Sequence, residues 1–580
     1  MEEKKDCPIL SLSTELVLQI FEYALPSVNL AFTCSTLYQH CRPLLDLHRG
    51  AHAKYKITSD LDPETVIDLL KNTSSARVGR WHVRELEIWG NRTDWQDWRP
   101  RAPEQSGLQF TQGTPTRSEL DTGELQRYIQ AGNEWWEFSG TEIDNITQEL
   151  RSGQDAYLKL LLIALCPRLH SIRIARPYRD LGSALKKVTK AINASRSLAK
   201  WPPGFESLRN IAVNVETGFP IPKNEDADED EILEEHQMNA VDFVALFFIP
   251  SVESIYFNDL WQDPHAEEEQ GVEFEDKYDF PDNTSSVKRL FLDGISDLSA
   301  EFLCAVAGAP RSLESMVIRT PDHHIVHVDD IDTLVNESAK CQPDLKELIM
   351  YNPSGMHGYR CVVYRPEELG NFKTIKRITV AAADIELDGL YQLTIHDRQL
   401  NAEDLGGYVI GAFPSTIEAL YIWGRSDVHI DNPDPEKPSD IFDSVIAHLI
   451  ESGVYQNLKA IYLDDVERAH RQRDHLISQG QPFNAGRKEL AFQKSVAAGN
   501  KAGVHVHTLM NRDDDDHYWR NFPARPDKFA LKTGCFGERP LEWKFNLQTG
   551  EWGQDCDGCG ECKECLTVYP PELWKSTMRS

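Results

Sequence analysis

One hexapeptide, apolar-x-x-apolar-x-apolar, recurs ten times along the chain. It stands at Val83/Leu86/Ile88, Leu169/Ile172/Ile174, Leu208/Ile211/Val213, Val252/Ile255/Phe257 and Val287/Leu290/Leu292. It continues at Leu313/Met316/Ile318, Leu345/Leu348/Met350, Ile375/Ile378/Val380, Ile417/Leu420/Ile422 and Leu458/Ile461/Leu463. The last two apolar places lie two residues apart, the period of a strand that turns one side into a core. Measured between middle positions, the first step is 86 residues and the others run from 26 to 47, so the long first step predicts a missed or degenerate unit inside it.

Helical periodicity precedes many of these strands, as in Ala156–Cys166, Val241–Phe248, Leu298–Ala307, Ile331–Ala339 and Ile441–Ile450, with Asp440 placed to cap the last. Strand and helix alternating at this period predict an α/β fold of the leucine-rich-repeat type, an irregular solenoid with parallel strands on one face and helices on the other. A closed barrel or a doubly wound sheet would alternate similarly. The recurrence of one hexapeptide, with no Gly-rich phosphate loop after any strand, favours the solenoid. Asn91, three residues after Ile88, alone matches the Asn or Cys of the short regular repeat. The array is expected over residues 51–466. A C-terminal lobe is expected over 467–580, with a helix-like stretch at Glu467–His475 and a strand at Trp543–Leu547 turning through Gln548–Gly550 toward Trp552.

Ahead of the array, residues 8–50 carry Leu12, Leu16 and Ile20 at four-residue spacing with Phe21 beside them, then Leu30, Cys34 and Leu37. Each set is the stripe of a short amphipathic helix; Ser13 or Thr14 can cap the first and Pro26 ends it. Leu12-x-x-Glu15-Leu16, Ile20-Phe21, Thr33-Cys34 and Leu37-Tyr38 together resemble the F-box motif, with Ser13 where that motif carries proline. The chain is similar to fungal F-box proteins with large, irregular C-terminal repeat regions. That resemblance implies an F-box helical hairpin docking a Skp adaptor, and through it cullin and RING subunits, in an SCF-type ubiquitin ligase. Leu12, Leu16, Ile20, Phe21, Leu30 and Leu37 would serve the adaptor contact or the core beneath it. The repeats would select a protein substrate, and catalysis would belong to other subunits, so no catalytic residue is expected here. The alternative from another class is a repeat scaffold without ligase coupling, the hairpin acting as an end cap.

If the apolar places of each strand face the core, the residues between and just after them face the other way. That set contains Tyr256, Phe291, Tyr351, Tyr421, Trp423 and Tyr462, and these are the expected partner-binding residues, because Tyr and Trp combine large apolar area with a polar tip; the alternative is that the aromatics cover one another or pack under the C-terminal lobe.

Charge adds a location. The 580 residues hold 92 acidic and 61 basic side chains, a net charge of −31, which argues against nucleic acid as a partner. About half of that imbalance lies in two segments, residues 224–236 and 263–282, each following a strand; the plainer reading is a pair of solvated loops, the sharper one an electrostatic lip that steers a basic partner. No apolar run approaches the ~20 residues that span a bilayer, and the N-terminus has no signal-peptide pattern. The twelve cysteines are then read as mostly reduced thiols of a cytoplasmic or nuclear protein. Four of them, Cys556, Cys559, Cys562 and Cys565, stand at equal three-residue steps. Four thiolates can hold zinc or an iron–sulfur cluster, which would make a metal or redox protein a third class; an acidic, Gly-rich tail with free thiols is the plainer reading. His323, His324 and His327 beside Asp329 and Asp330 read as polar loop residues. Walker, nucleophile-elbow and His-Glu-x-x-His motifs are all missing from the sequence.

Overall fold

The structure is a computed structural model; it describes residues 9, 12–23, 31–61, 63–91, 120–175, 182–215, 238–262, 278–293, 295, 298–319, 328–342, 344–351, 369, 372–381, 407, 409–423, 440–464, 493–509, 542–546 and 551–554. The chain divides into two compact units, Met1–Ala227 with Phe248–Val252, and Asp228–Phe247 with Glu253–Ser580.

The first unit opens with helices α1 (Thr14–Tyr23), α2 (Ser35–Tyr55), α3 (Pro63–Leu70) and α4 (Ser74–His82). Four parallel strands, β1 (Ile57–Ser59), β2 (Glu85–Ile88), β3 (Ser171–Ala175) and β4 (Asn210–Val215), pair in sequence order. No strand of a missed or degenerate unit stands between β2 and β3, because the two pair directly and set Leu86 opposite Ile172. The described part of that interval instead holds helices at Thr122–Trp136, Gly140–Ser152 and Ala156–Leu165. Nine of the ten residues of the last are buried. A helix apolar all round belongs inside a core, with neighbours on every side.

The second unit contains β5 (Met238–Asn239), β6 (Ser254–Asn258), β7 (Leu260–Trp261) and β8 (Arg289–Asp293). It continues with β9 (Ser315–Arg319), β10 (Glu347–Tyr351), β11 (Arg377–Ala381), β12 (Ala419–Trp423), β13 (Ala460–Asp464) and β14 (His505–Leu509). From β6 through β8 to β14 each strand pairs parallel with the next, while β5 and β7 form a small separate pair. Parallel pairing therefore extends past residue 466, where the array was expected to end. An antiparallel pair, β15 (Glu542–Asn546) and β16 (Glu551–Gln554), follows β14 and gives the open end of the sheet a different kind of edge. Helices at Ala240–Leu246, Ala300–Gly308, Val328–Cys341 and Asp440–Glu451 fall where the periodicity places them.

The hexapeptide explains both the turn into each strand and its anchoring. Its first residue is buried in all ten copies, from Val83, Leu169, Leu208 and Val252 at 0% exposure to Leu458 at 7%. In several copies its amide also closes a turn onto the carbonyl three residues earlier, as Leu169 does on Cys166 and Leu345 on Gln342. At the strand entry two successive amides converge on one carbonyl of the preceding strand. Arg84 and Glu85 share the carbonyl of Lys56, His170 and Ser171 that of Arg84, Lys346 and Glu347 that of Glu314, and Glu418 and Ala419 that of Lys376. This bulge-like bend sets the register at the entry of these strands, so irregular insertions before them leave the start of the ladder in step, and the β3–β4 pairing shifts register only farther on, between Arg173 and Ala175.

Where α2 meets α4, His48 Nδ1 and His82 Nε2 lie 2.8 Å apart, and His52 adds a third ring edge-on to His82. One proton serves that bond, so the packing requires a neutral imidazole. Burial, then His48, His52, Arg84 and Arg168, push His82 down to about 4, and burial lowers His48 as well. A histidine whose folded pKa is depressed contributes stability that is whole above the free value near 6.5 and is lost as pH falls toward the folded value. The melting temperature of the first unit is accordingly expected to fall between pH 6.5 and pH 4.5 more steeply in the native chain than in His82→Gln. Parallel pH profiles of the two proteins would remove the histidine pair as the cause.

Candidate functional site: an apolar helical face and the strand surface

Helix α1 begins after Ser13, whose carbonyl accepts the Val17 amide, and α2 is capped by Cys34, whose sulfur accepts the Leu37 amide at 3.5 Å. The two helices close on a small core of Val17, Ala31, Leu37, Cys41 and Leu45, all nearly inaccessible, flanked by Ile9, Cys34, Tyr38 and Leu44. Thr14 Oγ1 and His40 Nδ1, 2.9 Å apart, tie α1 to α2 at its N-terminal end.

This core divides the six expected adaptor residues. Leu37 is 3% exposed and belongs to the core. Leu12, Leu16 and Ile20 remain at the surface, at 36%, 47% and 36% exposure. Leu30 and the Phe21 side chain lie outside the described residues. The stripe at positions 12, 16 and 20 is thus not the face α1 buries. Val17, about 100° around the helix from Leu16, holds that place, and Ala31, Cys41 and Leu45 complete it. Phe32, 60% exposed, is another uncovered ring of this segment and sits 6.0 Å from Tyr38. Its adjacency to the core residue Ala31 is the signal that sequence reading passed over.

On the strands, alternation is as expected but exposure is not. Tyr256 is 0% and Phe291 3% exposed, so neither is presented to a partner. Register explains why: Tyr256 stands opposite Phe291, and Phe291 opposite Val317. Neighbouring side chains in a parallel ladder cover one another, and here the Tyr256 ring meets Phe291 edge-on at 5.3 Å while its hydroxyl donates to Asp293 Oδ2 at 2.7 Å. Tyr421 is half-buried. The side chains of Tyr351, Trp423 and Tyr462 lie outside the described residues, although their backbones occupy β10, β12 and β13.

The equivalent positions of the first unit, Glu87, Arg173 and Ala212, are also covered, and two of them are charged. Glu87, 3% exposed, faces Arg173 at 3.3 Å and lies 3.4 Å from the Trp89 indole nitrogen; Arg173 reaches Glu85 at 3.1 Å. Burial pushes the Glu87 carboxyl up to about 7 against the pull of Arg173.

Residues 224–236, 263–277, His323, His324, His327 and the four C-terminal cysteines, Cys556, Cys559, Cys562 and Cys565, lie outside the described residues. Among the described residues no cluster of three or more His, Cys, Asp or Glu could hold a metal, and no helix is long and apolar enough to cross a membrane.

No family model matches the chain, and no curated protein is significantly similar to it. Among solved structures, it is similar to the leucine-rich-repeat-containing protein LegL7 from Legionella pneumophila, at 13% identity and a TM-score of 0.31, over 61% of this chain and 88% of that one. It is also similar to a chain of the yeast Rad7 and Elc1 complex, at 11% identity and a TM-score of 0.23, over 59% and 88%.

Proposed function

We propose that the chain is the substrate-recognition subunit of an SCF-type ubiquitin ligase. Its N-terminal hairpin docks a Skp-class adaptor through Leu12, Leu16 and Ile20, and its repeat array holds a protein substrate. The observation that supports this reading is the division of apolar residues along α1 and its entry: among the described side chains Val17 is the one that α1 gives to the core, while Leu12 just before the helix and Leu16 and Ile20 on it stay exposed at four-residue spacing. A helix that only capped the array would turn such a stripe inward, because each leucine-sized side chain gains about 1.5–3 kcal/mol on full burial. A stripe left outside fits a helix that completes its burial in a partner's groove.

Deleting residues 1–50 would be a poor test, since the cut falls inside α2, whose Leu45 and His48 are buried. The clean variant is Leu16→Glu with Ile20→Glu, both at exposed positions. Binding of purified Skp-class adaptor, measured by calorimetry, is expected to weaken at least about 100-fold, consistent with two interface anchors of about 1–2 kcal/mol or more each, while the melting temperature changes little. Unchanged affinity, or no binding by the native chain, would leave the repeat scaffold without ligase coupling as the reading.

A further inference from the structure

The helices Gly140–Ser152, Ala156–Leu165 and Gly182–Ser197 enclose a partly open cavity of about 170 Å³ against the end of the Thr122–Trp136 helix. It lies wholly within the first unit and far in sequence from the adaptor helices. Its wall is aromatic: Phe138 stands 5.9 Å from Trp136 on one side and 5.9 Å from Tyr157 on the other. The polar tips of the two buried rings are already used, the Trp136 indole N–H on Ser195 Oγ at 3.0 Å and the Tyr157 hydroxyl on the Tyr128 carbonyl at 3.0 Å. What remains toward the cavity is ring surface, with Ile146 and Leu160 behind it. The volume is close to that of an apolar cavity that admits one benzene-sized ring, roughly 150 Å³.

The mouth carries four charges, and they are not equivalent. Glu149 is paired with Lys187 at 2.8 Å. Glu142 accepts from both the backbone amide and the hydroxyl of Ser139, closing a capping box. Lys190 and the Asn145 amide, both exposed, line the same mouth; among the described residues their side chains make no hydrogen bond and no ion pair within 4 Å, and Lys190 acts on the Glu142 carboxylate only through its field. The groups left to meet an occupant are therefore one ammonium and one carboxamide, both able to donate.

We propose that this cavity is a small-molecule site that takes a single aromatic ring bearing a carboxylate, the ring against Trp136, Phe138 and Tyr157 and the carboxylate on Lys190 and Asn145. Ring burial supplies the affinity, and Lys190 selects the charge of the head group.

The test uses the full chain and three probes sharing one ring and differing in charge: benzoate, benzyl alcohol and benzylamine. Ligand-observed NMR should show benzoate binding with a 1:1 stoichiometry and at least about tenfold more tightly than either of the others. Lys190→Gln should erase that preference, and Ala194→Phe, which fills the cavity from its half-exposed side, should abolish binding with the melting temperature retained. Equal binding of the three probes, tighter binding of benzylamine, no binding of benzoate, or benzoate binding that survives both substitutions would each overturn the proposal. If Ala194→Phe fails to fold, the Lys190→Gln comparison still decides.

Discussion

Lys159→Met is expected to destabilise the first unit by about 3–5 kcal/mol, the cost of leaving buried carboxylates without their cation. Lys159 is 2% exposed in the middle of the apolar helix Ala156–Leu165. Its ammonium lies 2.8 Å from Asp60 Oδ2 and 3.1 Å from Asp155 Oδ1, and it also donates to the Gly90 carbonyl. Asp60 in turn accepts from the Trp89 and Gly90 amides at 2.7 and 3.3 Å. Burial works against the charge on Lys159, but Asp155 and Asp60 outweigh it and hold the amine protonated. Two carboxylates share this one cation, and burial, opposed by Lys159, pushes the Asp60 carboxyl up. Methionine keeps the volume and removes the charge, so the loss measured by denaturant unfolding reports the stranded carboxylates. Adding Asp60→Asn to Lys159→Met should recover part of the loss, since fewer buried charges then stand alone. A loss below about 1 kcal/mol, or no recovery in the double variant, would show that water reaches the site.

The same residues show where the sequence was legible and where it was not. Ten strands could be read because their apolar places are occupied by apolar side chains, and burial of those places follows from the pattern. Strand β1 escaped because Thr58 pairs opposite Leu86, which puts Asp60 where the other units have an aliphatic residue. Its partner, Lys159, lies 99 positions away in sequence, and no local pattern announces a charge pair of that separation. Strand β14 escaped likewise: Val506 pairs with Ile461, but Gly503 and Thr508 hold the flanking apolar places. On the strand face, period two gave the direction of Tyr256 and Phe291. Their exposure depends on what stands beside them in the next strand, which is a property of register and not of either hexapeptide. At the N-terminus the four-residue stripe was visible, but a stripe marks a face to be covered without saying whether the cover is this chain or another. Which residues of the helix enter the core, as Val17 does and Leu16 does not, is set by packing that the stripe does not encode.

Gly204→Ala is expected to cost about 3 kcal/mol, at the upper end of the ordinary range for overpacking a core. A Cβ added at Gly204 would sit 1.7 Å from the Ile163 carbonyl oxygen and 2.8 Å from its carbon, so backbone meets the new atom and no side-chain rotation can relieve it. Neither side can easily retreat. The Ile163 carbonyl accepts the Cys166 amide at the turn that leads to Leu169 and β3. The short helix Pro203–Ser207 is held by Ser207 Oγ on the Leu169 carbonyl at 2.9 Å and by Phe205, which is 0% exposed. A shift of the helix large enough to admit a methyl group would pull on Leu208, the first residue of the next hexapeptide, and so on the entry into β4. The substitution therefore tests whether the close helix contact sets the spacing of these two repeats. Gly140→Ala is the control, because nothing lies within 4 Å of a Cβ there, and it should be neutral or mildly stabilising. If Gly204→Ala unfolds at the same denaturant concentration as Gly140→Ala, the contact is looser in solution than the geometry requires and the repeat spacing is set elsewhere.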